Sequence, residues 1–557
     1  MEEADAEEDA APILPDKPME TLVRTRGREW IDDCFNKSGI HQGCDIEWFK
    51  QDVNPPCPTR LIDLDIGDSN KIRIVVPKED CVSKSYQYLT LSYRWGTTNE
   101  SAKTTRATIA SRREGFDMAT LPKTIRDAIQ LTRLLGFRYL WIDAICIIQS
   151  QEGDEYLDDW NNEAPRIGSY YLHSHCLLSA SGASDSSEGL FMEPTALRYQ
   201  LKTCALAFDK EKAEYICRGV SIPEPNLSSH WHNNALRERG WCLQEEILSP
   251  RTLHWSRYAL FWQCHSLERA FPHSGHDQEI PGKYGFSFNF NLEPEQVMGN
   301  SWVQLVRDYL YMHLTYETDR LVGIQGLADR LVTLHGGEYF AGVFRSHVAR
   351  GLLWNNLRTD GSVPISPGVP TWSWASRPPA IWFPRLTASL VQDTKQDVFP
   401  KDRRPVHLDH PSQRIVHLEA PLLTLELGEQ LGTSDGIEYR PTIVTLTSPR
   451  SVADLELGFG TYFGYDEERL VPKPLGQMLV LLLGVDIQHS RLAGERRDEE
   501  IVVDPGTQVA FRGIILRYQG RFYTRVGRVD LVVLERGRSY WELKQEVERH
   551  TREVCLV

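Results

Sequence analysis

The stretch that most constrains the fold is a helix pattern followed at once by a buried-strand pattern, at residues 121–149. LPKTIRDAIQLTRLLG (121–136) spaces Ile125, Ile129, Thr132 and Leu135 along one face, with Pro122 near its start and Gly136 at its end. That punctuation predicts an amphipathic helix. FRYLWIDAICIIQ (137–149) is nearly all apolar apart from Asp143, which predicts a strand, expected over 139–147, covered on both faces of a parallel sheet. Upstream, YLTLSYRW (88–95) is a short apolar run ending in polar and aromatic residues, so strand, helix and strand form a βαβ unit. A further helix within 155–172 and a strand within HCLLSASGAS (175–184) continue the alternation. An α/β sheet follows, whose ligands gather beyond the C-terminal ends of its strands.

The flanks differ from this centre. Six acids fall within the first nine residues, which predicts a solvated acidic tail over 1–20 and is the opposite of a signal peptide. RLIDLDIGDSNKIRIVV (60–76) alternates apolar and polar residues around a turn signal, as in a β-hairpin. Helical spacing begins at Trp302 and continues toward Trp354, and from about 377 the chain breaks into short Val, Leu, Ile and Tyr-rich runs such as 414–427 and 507–518. A β-rich C-terminal region is expected there, and Trp372 and Trp374 are expected to pack. With 557 residues, a net charge of −15 and no apolar run near the roughly 20 residues that span a bilayer, the chain carries neither a nucleic-acid signature nor a membrane span. Its 11 cysteines are odd in number and show no CxxC pair, so reduced thiols and a cytoplasmic location are expected.

Several motifs are missing: there is no GxxxxGK[ST], HExxH or GxSxG, which removes the handles for a P-loop NTPase, a zincin and an ordinary α/β-hydrolase. Gly458, Gly460 and Gly464 lack a following helix and read as a turn. His173, His175 and Cys176 precede an apolar strand at no ligand spacing, so no metal site is expected.

Four ordered blocks together resemble the HET domain of fungal heterokaryon incompatibility proteins. They are YLTLSYRWG (88–96), LPKTIRDAIQLTRLLGFRYLWIDAICIIQ (121–149), DWNNEAPRIGSYYLHSHCLLSASGAS (159–184) and RERGWCLQEEILSPRTLHW (237–255). IDDCFNKSGIHQGC (31–44), RLIDL (60–64), TDRLVGIQGLA (318–328) and PTWSWAS (370–376) resemble segments that flank this domain. The third block departs from the family at Pro165 and Ile167, and the fourth at Glu246. The patterns and the resemblance together predict an N-terminal segment with a hairpin over 21–85, a HET domain over 86–270, a helical extension over 271–376 and the β-rich region over 377–557.

HET domains in turn resemble TIR domains, which have a flavodoxin-like fold and in many members cleave NAD. That likeness lays Trp160 and Glu163 on the Trp-x-x-Glu bearing the catalytic glutamate, and so implies that Glu163 stabilises a ribosyl cation from the start of a helix, at the mouth of the sheet. Ser92, Tyr93, Arg94 and Trp95 stand where such a sheet presents ligand contacts. Asp143 is costly within an apolar strand unless paired, and Arg239, Trp241, Gln244 and Glu245 are the candidates to meet it, with Gln149 beside them. Cys146 and Cys242 read as inert thiols. The functions implied are an effector of incompatibility and programmed cell death that hydrolyses NAD, with NAD or a related nucleotide as substrate and no cofactor, or a non-enzymatic module that signals by forming a homo-oligomer. Either could answer to an incompatibility partner protein. A biosynthetic enzyme that has redeployed this scaffold is a third reading.

Overall fold

The computed structural model describes residues 23–50, 57–80, 86–151, 157–190, 203–209, 214–220, 234–256, 260–266, 268–271, 278–280, 293–356, 369–376, 381–384, 386, 388–392, 399, 415–426, 430–433, 436–439, 444–448, 451–455, 462–465, 477–487, 509–533 and 540–557. The acidic tail over 1–20 and the turn at Gly458 and Gly460 lie outside these residues. The chain divides into two compact units, Met1–Ser287 and Phe288–Val557.

Among the described residues the first unit carries the strands β1 (Leu61–Asp63), β2 (Lys71–Val75), β3 (Tyr88–Ser92), β4 (Phe116–Asp117), β5 (Tyr139–Trp141), β6 (Cys176–Ser179), β7 (Thr203–Asp209), β8 (Glu214–Val220), β9 (Arg251–Trp255), β10 (Leu260–Cys264), β11 (Glu268–Phe271) and β12 (Gln278–Ile280). Ten of them form one sheet in the order β12-β11-β10-β9-β6-β3-β5-β1-β2-β4, and β7 and β8 pair separately. The four central strands β5, β3, β6 and β9 are mutually parallel. Taken in chain order they lie 2-1-3-4, the order of a flavodoxin-like sheet. Antiparallel strands extend it on both sides. All residues of β3, β6 and β9 are buried, as the apolar runs require.

The helix Lys123–Leu134 buries Ile125, Ala128, Ile129, Leu131 and Thr132, the stripe that its sequence spacing draws. It stops where Gly136 takes φ +78°, a left-handed turn that glycine enters without a Cβ penalty. The expected strand over 139–147 is corrected. It ends at Trp141, and Asp143–Cys146 is a single helical turn. The Ile142 carbonyl accepts from the Cys146 amide at 2.7 Å, and Asp143 Oδ1 accepts from the Ala144 amide at 2.7 Å, so a short polar side chain redirects the backbone. The helix expected within 155–172 is also broken. Asp158–Glu163 and Ile167–Leu172 are α-helical, and a 3-10 turn at Ala164–Arg166 holding Pro165 joins them, since proline cannot donate to the preceding turn.

The hairpin β1–β2 is locked by charge. Asp63 is 1% exposed and accepts from Arg138 Nε at 2.7 Å and from Arg73 Nη2 at 3.0 Å. Burial alone would raise its pKa, but Arg138 and Arg73 outweigh it and hold the carboxyl below its ordinary value. Asp63→Asn is expected to lower stability by roughly 2–3 kcal/mol at neutral pH, because two charge-assisted contacts weaken together. A depressed pKa contributes stability above the unfolded value and loses it as pH falls. In urea unfolding the gap between Asp63→Asn and the parent chain should therefore close in acid.

In the second unit the helices Trp302–Leu310, Val322–His335 and Val348–Leu352 precede the β-rich region. Trp302, Trp354, Trp372 and Trp374 are all buried there. The strands Gln477–Ile487, Val416–Glu426, Thr551–Leu556, Phe522–Val533 and Val509–Gln519 pair in that order, and the last returns to the first. This closed five-stranded barrel leaves its members no free edge.

Candidate functional site

Where the strand order reverses, between β3 and β6, an open α/β sheet offers its crevice. The register aligns Ser92 with Ser179 and Ser179 with His254, so a row of polar residues crosses the C-terminal ends of β3, β6 and β9. Helix Gly240–Leu248 brings Cys242 to this end, where it lines a cavity with Ser92, Ser179 and His254. The Ser92 hydroxyl lies 3.5 Å from the Cys242 thiol and is close enough to Glu245, on the same helix as Cys242, to favour its ionised form.

Glu245 is the most perturbed carboxylate of the group. It is 8% exposed, and its Oε2 has no hydrogen-bond partner among the described residues. Burial raises its pKa from 4.5 to about 7; Arg239 and Ser92 oppose this, and Asp143 reinforces it. Arg239 donates to the Tyr93 carbonyl, and its charge acts on Asp143 and Glu245 together. Asp143 accepts from Trp95 Nε1 at 3.1 Å. Burial raises its pKa as well, against the pull of Arg239. The buried Glu245 and the half-buried Asp143 thus both feel the charge of one guanidinium.

The structure brings Ser92, Tyr93, Trp95, Asp143, Arg239 and Glu245 into one cluster, and Gln149 joins its margin by donating to the Asp143 carbonyl at 3.2 Å. Trp160 and Trp241 meet edge to face at 5.5 Å, linking helix Asp158–Glu163 to helix Gly240–Leu248. Gln244 is buried in the latter helix. Arg94 is half-exposed and lies 4.0 Å from Glu238. Tyr93 points its hydroxyl at Asn99 Oδ1, 2.9 Å away, so only its backbone serves Arg239.

Glu163 departs from its expected setting. It is the last residue of its helix, not at the start, and is 2% exposed. Oε1 accepts from Thr59 Oγ1 at 2.7 Å and Oε2 from the Tyr170 hydroxyl at 2.9 Å, and Arg166 stands 3.6 Å away. Asp159, on the same helix, pairs with Arg60 and accepts from the Ile148 amide at 2.7 Å. These bonds fasten the helix to the segment after β5.

Ser179, Asn234 and His254 were missed by the sequence reading, yet with Ser92, Cys242 and Glu246 they line a cavity at the crevice. The signal available was a polar residue near the end of each strand-like run, Ser179 at the end of CLLS and His254 next to last in RTLHW. The cavity measures about 10 Å³, the scale of a single water, whereas small-molecule sites occupy roughly 300–1,000 Å³. Among the described residues no helix is long and apolar enough to cross a membrane.

No curated protein and no solved structure matches the chain. Residues 88–245 match the family model described as Heterokaryon incompatibility protein (HET), a span that runs from the first residue of β3 to Glu245 and holds the whole polar cluster. The chain therefore contains a segment, residues 88–245, that is similar to the HET domain.

Proposed function

We propose that this chain is an effector of heterokaryon incompatibility whose HET domain hydrolyses the nicotinamide–ribose bond of NAD at the C-terminal edge of its parallel sheet, with cell death as the outcome. The observation that carries this reading is Glu245, a buried carboxylate with one unpartnered oxygen, beside an arginine and a serine at the switch point. Breaking the bond sends its electron pair to the nicotinamide ring nitrogen and leaves positive charge on the ribose. A fixed carboxylate stabilises that charge. Water then adds to the ribosyl carbon and gives up a proton, so that NAD and water yield ADP-ribose, nicotinamide and a proton. Arg239 keeps part of the Glu245 population ionised near neutral pH, and Arg94 offers an exposed cation to a diphosphate.

The TIR resemblance would give this role to Glu163, but both oxygens of Glu163 already hold hydrogen bonds to protein. The test measures nicotinamide release by the parent chain, Glu245→Gln and Glu163→Gln. Glu163→Gln is expected to release nicotinamide within about threefold of the parent and to lose roughly 1–2 kcal/mol of stability, the scale of a weakened buried hydrogen bond. Loss of release in Glu163→Gln alone would return the chemistry to Glu163.

The second reading, a non-enzymatic module acting by homo-oligomerisation, draws on the cavity of about 10 Å³. NAD requires this crevice to open, which means moving the turn at Asn234, Leu236 and Arg237. Absence of release from the parent chain in every assembly state, recorded by light scattering in the same samples, would favour the module.

A further inference from the structure

We propose that Cys34, His41, Cys44 and Cys264 form a closed tetrahedral site for a structural zinc ion. Cys34 lies near the end of helix Arg28–Phe35, His41 and Cys44 lie in the 3-10 turn Gly39–Cys44, and Cys264 is the last residue of β10. Their four ligand atoms all fall within 4.8 Å of one another. Cys44 Sγ stands 3.7 Å from Cys34 Sγ, 3.5 Å from Cys264 Sγ and 3.8 Å from His41 Nδ1. His41 Nδ1 stands 3.4 Å from Cys264 Sγ.

A tetrahedron with zinc–sulfur bonds of about 2.3 Å and a zinc–nitrogen bond of about 2.0–2.1 Å has edges of about 3.8 Å between sulfurs and about 3.6 Å between sulfur and nitrogen. The four measured edges cluster around those values. A disulfide requires one pair of sulfurs to be singled out, yet Cys44 is nearly equidistant from both of its neighbours. Hydrogen bonding does not explain the arrangement either, because thiols are weak donors and three of them with an imidazole nitrogen converge on one point. Thiolate and imidazole donors in tetrahedral array select zinc among common divalent ions, and four protein ligands make the site structural.

The surroundings suit bound thiolates. The Ser266 hydroxyl lies 3.1 Å from Cys44 Sγ, and the charge of Arg251 acts on Cys34, offsetting the net negative charge of three thiolates on a divalent ion. Cys34, His41 and Cys264 are at most 3% exposed. The chain is bent to reach this arrangement: Lys37 takes φ +55° and Gly39 φ +53°. At Gly43 an added Cβ would come within 2.7 Å of Ser266 Oγ.

The experiment uses the full chain, produced with zinc in the medium and purified under thiol reductant. Metal content by plasma mass spectrometry should be close to one zinc per chain. Cys264→Ser and His41→Ala should fall to a small fraction of that. Cys555→Ser should keep it, because Cys555 belongs to a separate, more exposed group with His417 and Glu553. Should the cluster variants fail to fold, cobalt exchanged into the parent chain decides. Strong visible bands of tetrahedral cobalt with thiolate charge-transfer absorption are expected. The proposal is overturned by a folded parent chain without metal, by weak octahedral cobalt bands, by a disulfide joining any two of Cys34, Cys44 and Cys264, or by zinc that follows Cys555.

Discussion

Glu245→Gln is expected to lower nicotinamide release at least roughly 100-fold, the cost of removing one electrostatic stabiliser from a transition state. The parent chain should show rising activity with pH, since only the ionised carboxylate stabilises the ribosyl cation. With its pKa raised by burial to about 7, release at pH 6 should be about tenfold below the alkaline plateau. The same group shapes stability in the opposite sense. The folded chain keeps a proton on Glu245 that the unfolded chain releases above about pH 4.5. Its contribution is therefore fully present below that pH and lost as pH rises through about 7, a total of about 3 kcal/mol. Urea unfolding at pH 5 and pH 8 should show this loss in the parent chain and not in Glu245→Gln. A variant that is more stable at pH 8 yet inactive is the expected combination; equal pH slopes in the two proteins would show that Glu245 is not the group holding the proton.

The second large effect lies in the other unit, at Arg525. Its guanidinium is stacked 3.3 Å from the Trp354 ring centroid, donates to the Leu352 carbonyl at 2.6 Å and also donates to the Trp354 carbonyl. The residue is 3% exposed. Arg525→Met keeps most of the aliphatic stem but withdraws the donors from two buried carbonyls, so a loss of roughly 3–5 kcal/mol is expected. In calorimetry that corresponds to a fall of about 10 °C in the affected transition. Arg525→Lys should recover less than half, because an ammonium cannot stack flat and serve both carbonyls as a guanidinium does. Full recovery by lysine would mean that charge alone matters here.

The apolar runs led correctly to the centre of the sheet because β3 and β6 are buried along their whole length, so burial and sequence pattern coincide. The pattern failed at 142–147, where apolar residues fill a helical turn as readily as a strand. Only the local bonds of Asp143 and Ile142 decide between them. The polar cluster was legible as buried charge in need of partners, which is why Asp143 pointed to Arg239 and Glu245. Glu163 was read from a motif, and a motif does not reveal that Thr59, over 100 residues away, occupies the carboxylate. The cysteine cluster was invisible for a similar reason. Two of its ligands share one short turn, but Cys264 is 220 residues from Cys44, a separation that no spacing rule anticipates.

The strand order also bears on how this sheet can be made on the ribosome. The matched span ends at Glu245, yet β6 takes its outer neighbour from β9, which begins at Arg251, and β5 takes its own from β1, which precedes the span. A fragment cut to the family boundaries would leave β5 and β6 as bare edges ready to pair with another chain. During translation, likewise, β6 must wait with its outer flank open until Trp255 has cleared the exit tunnel. Clones meant to yield a soluble HET domain should therefore begin before Leu61 and run beyond Phe271.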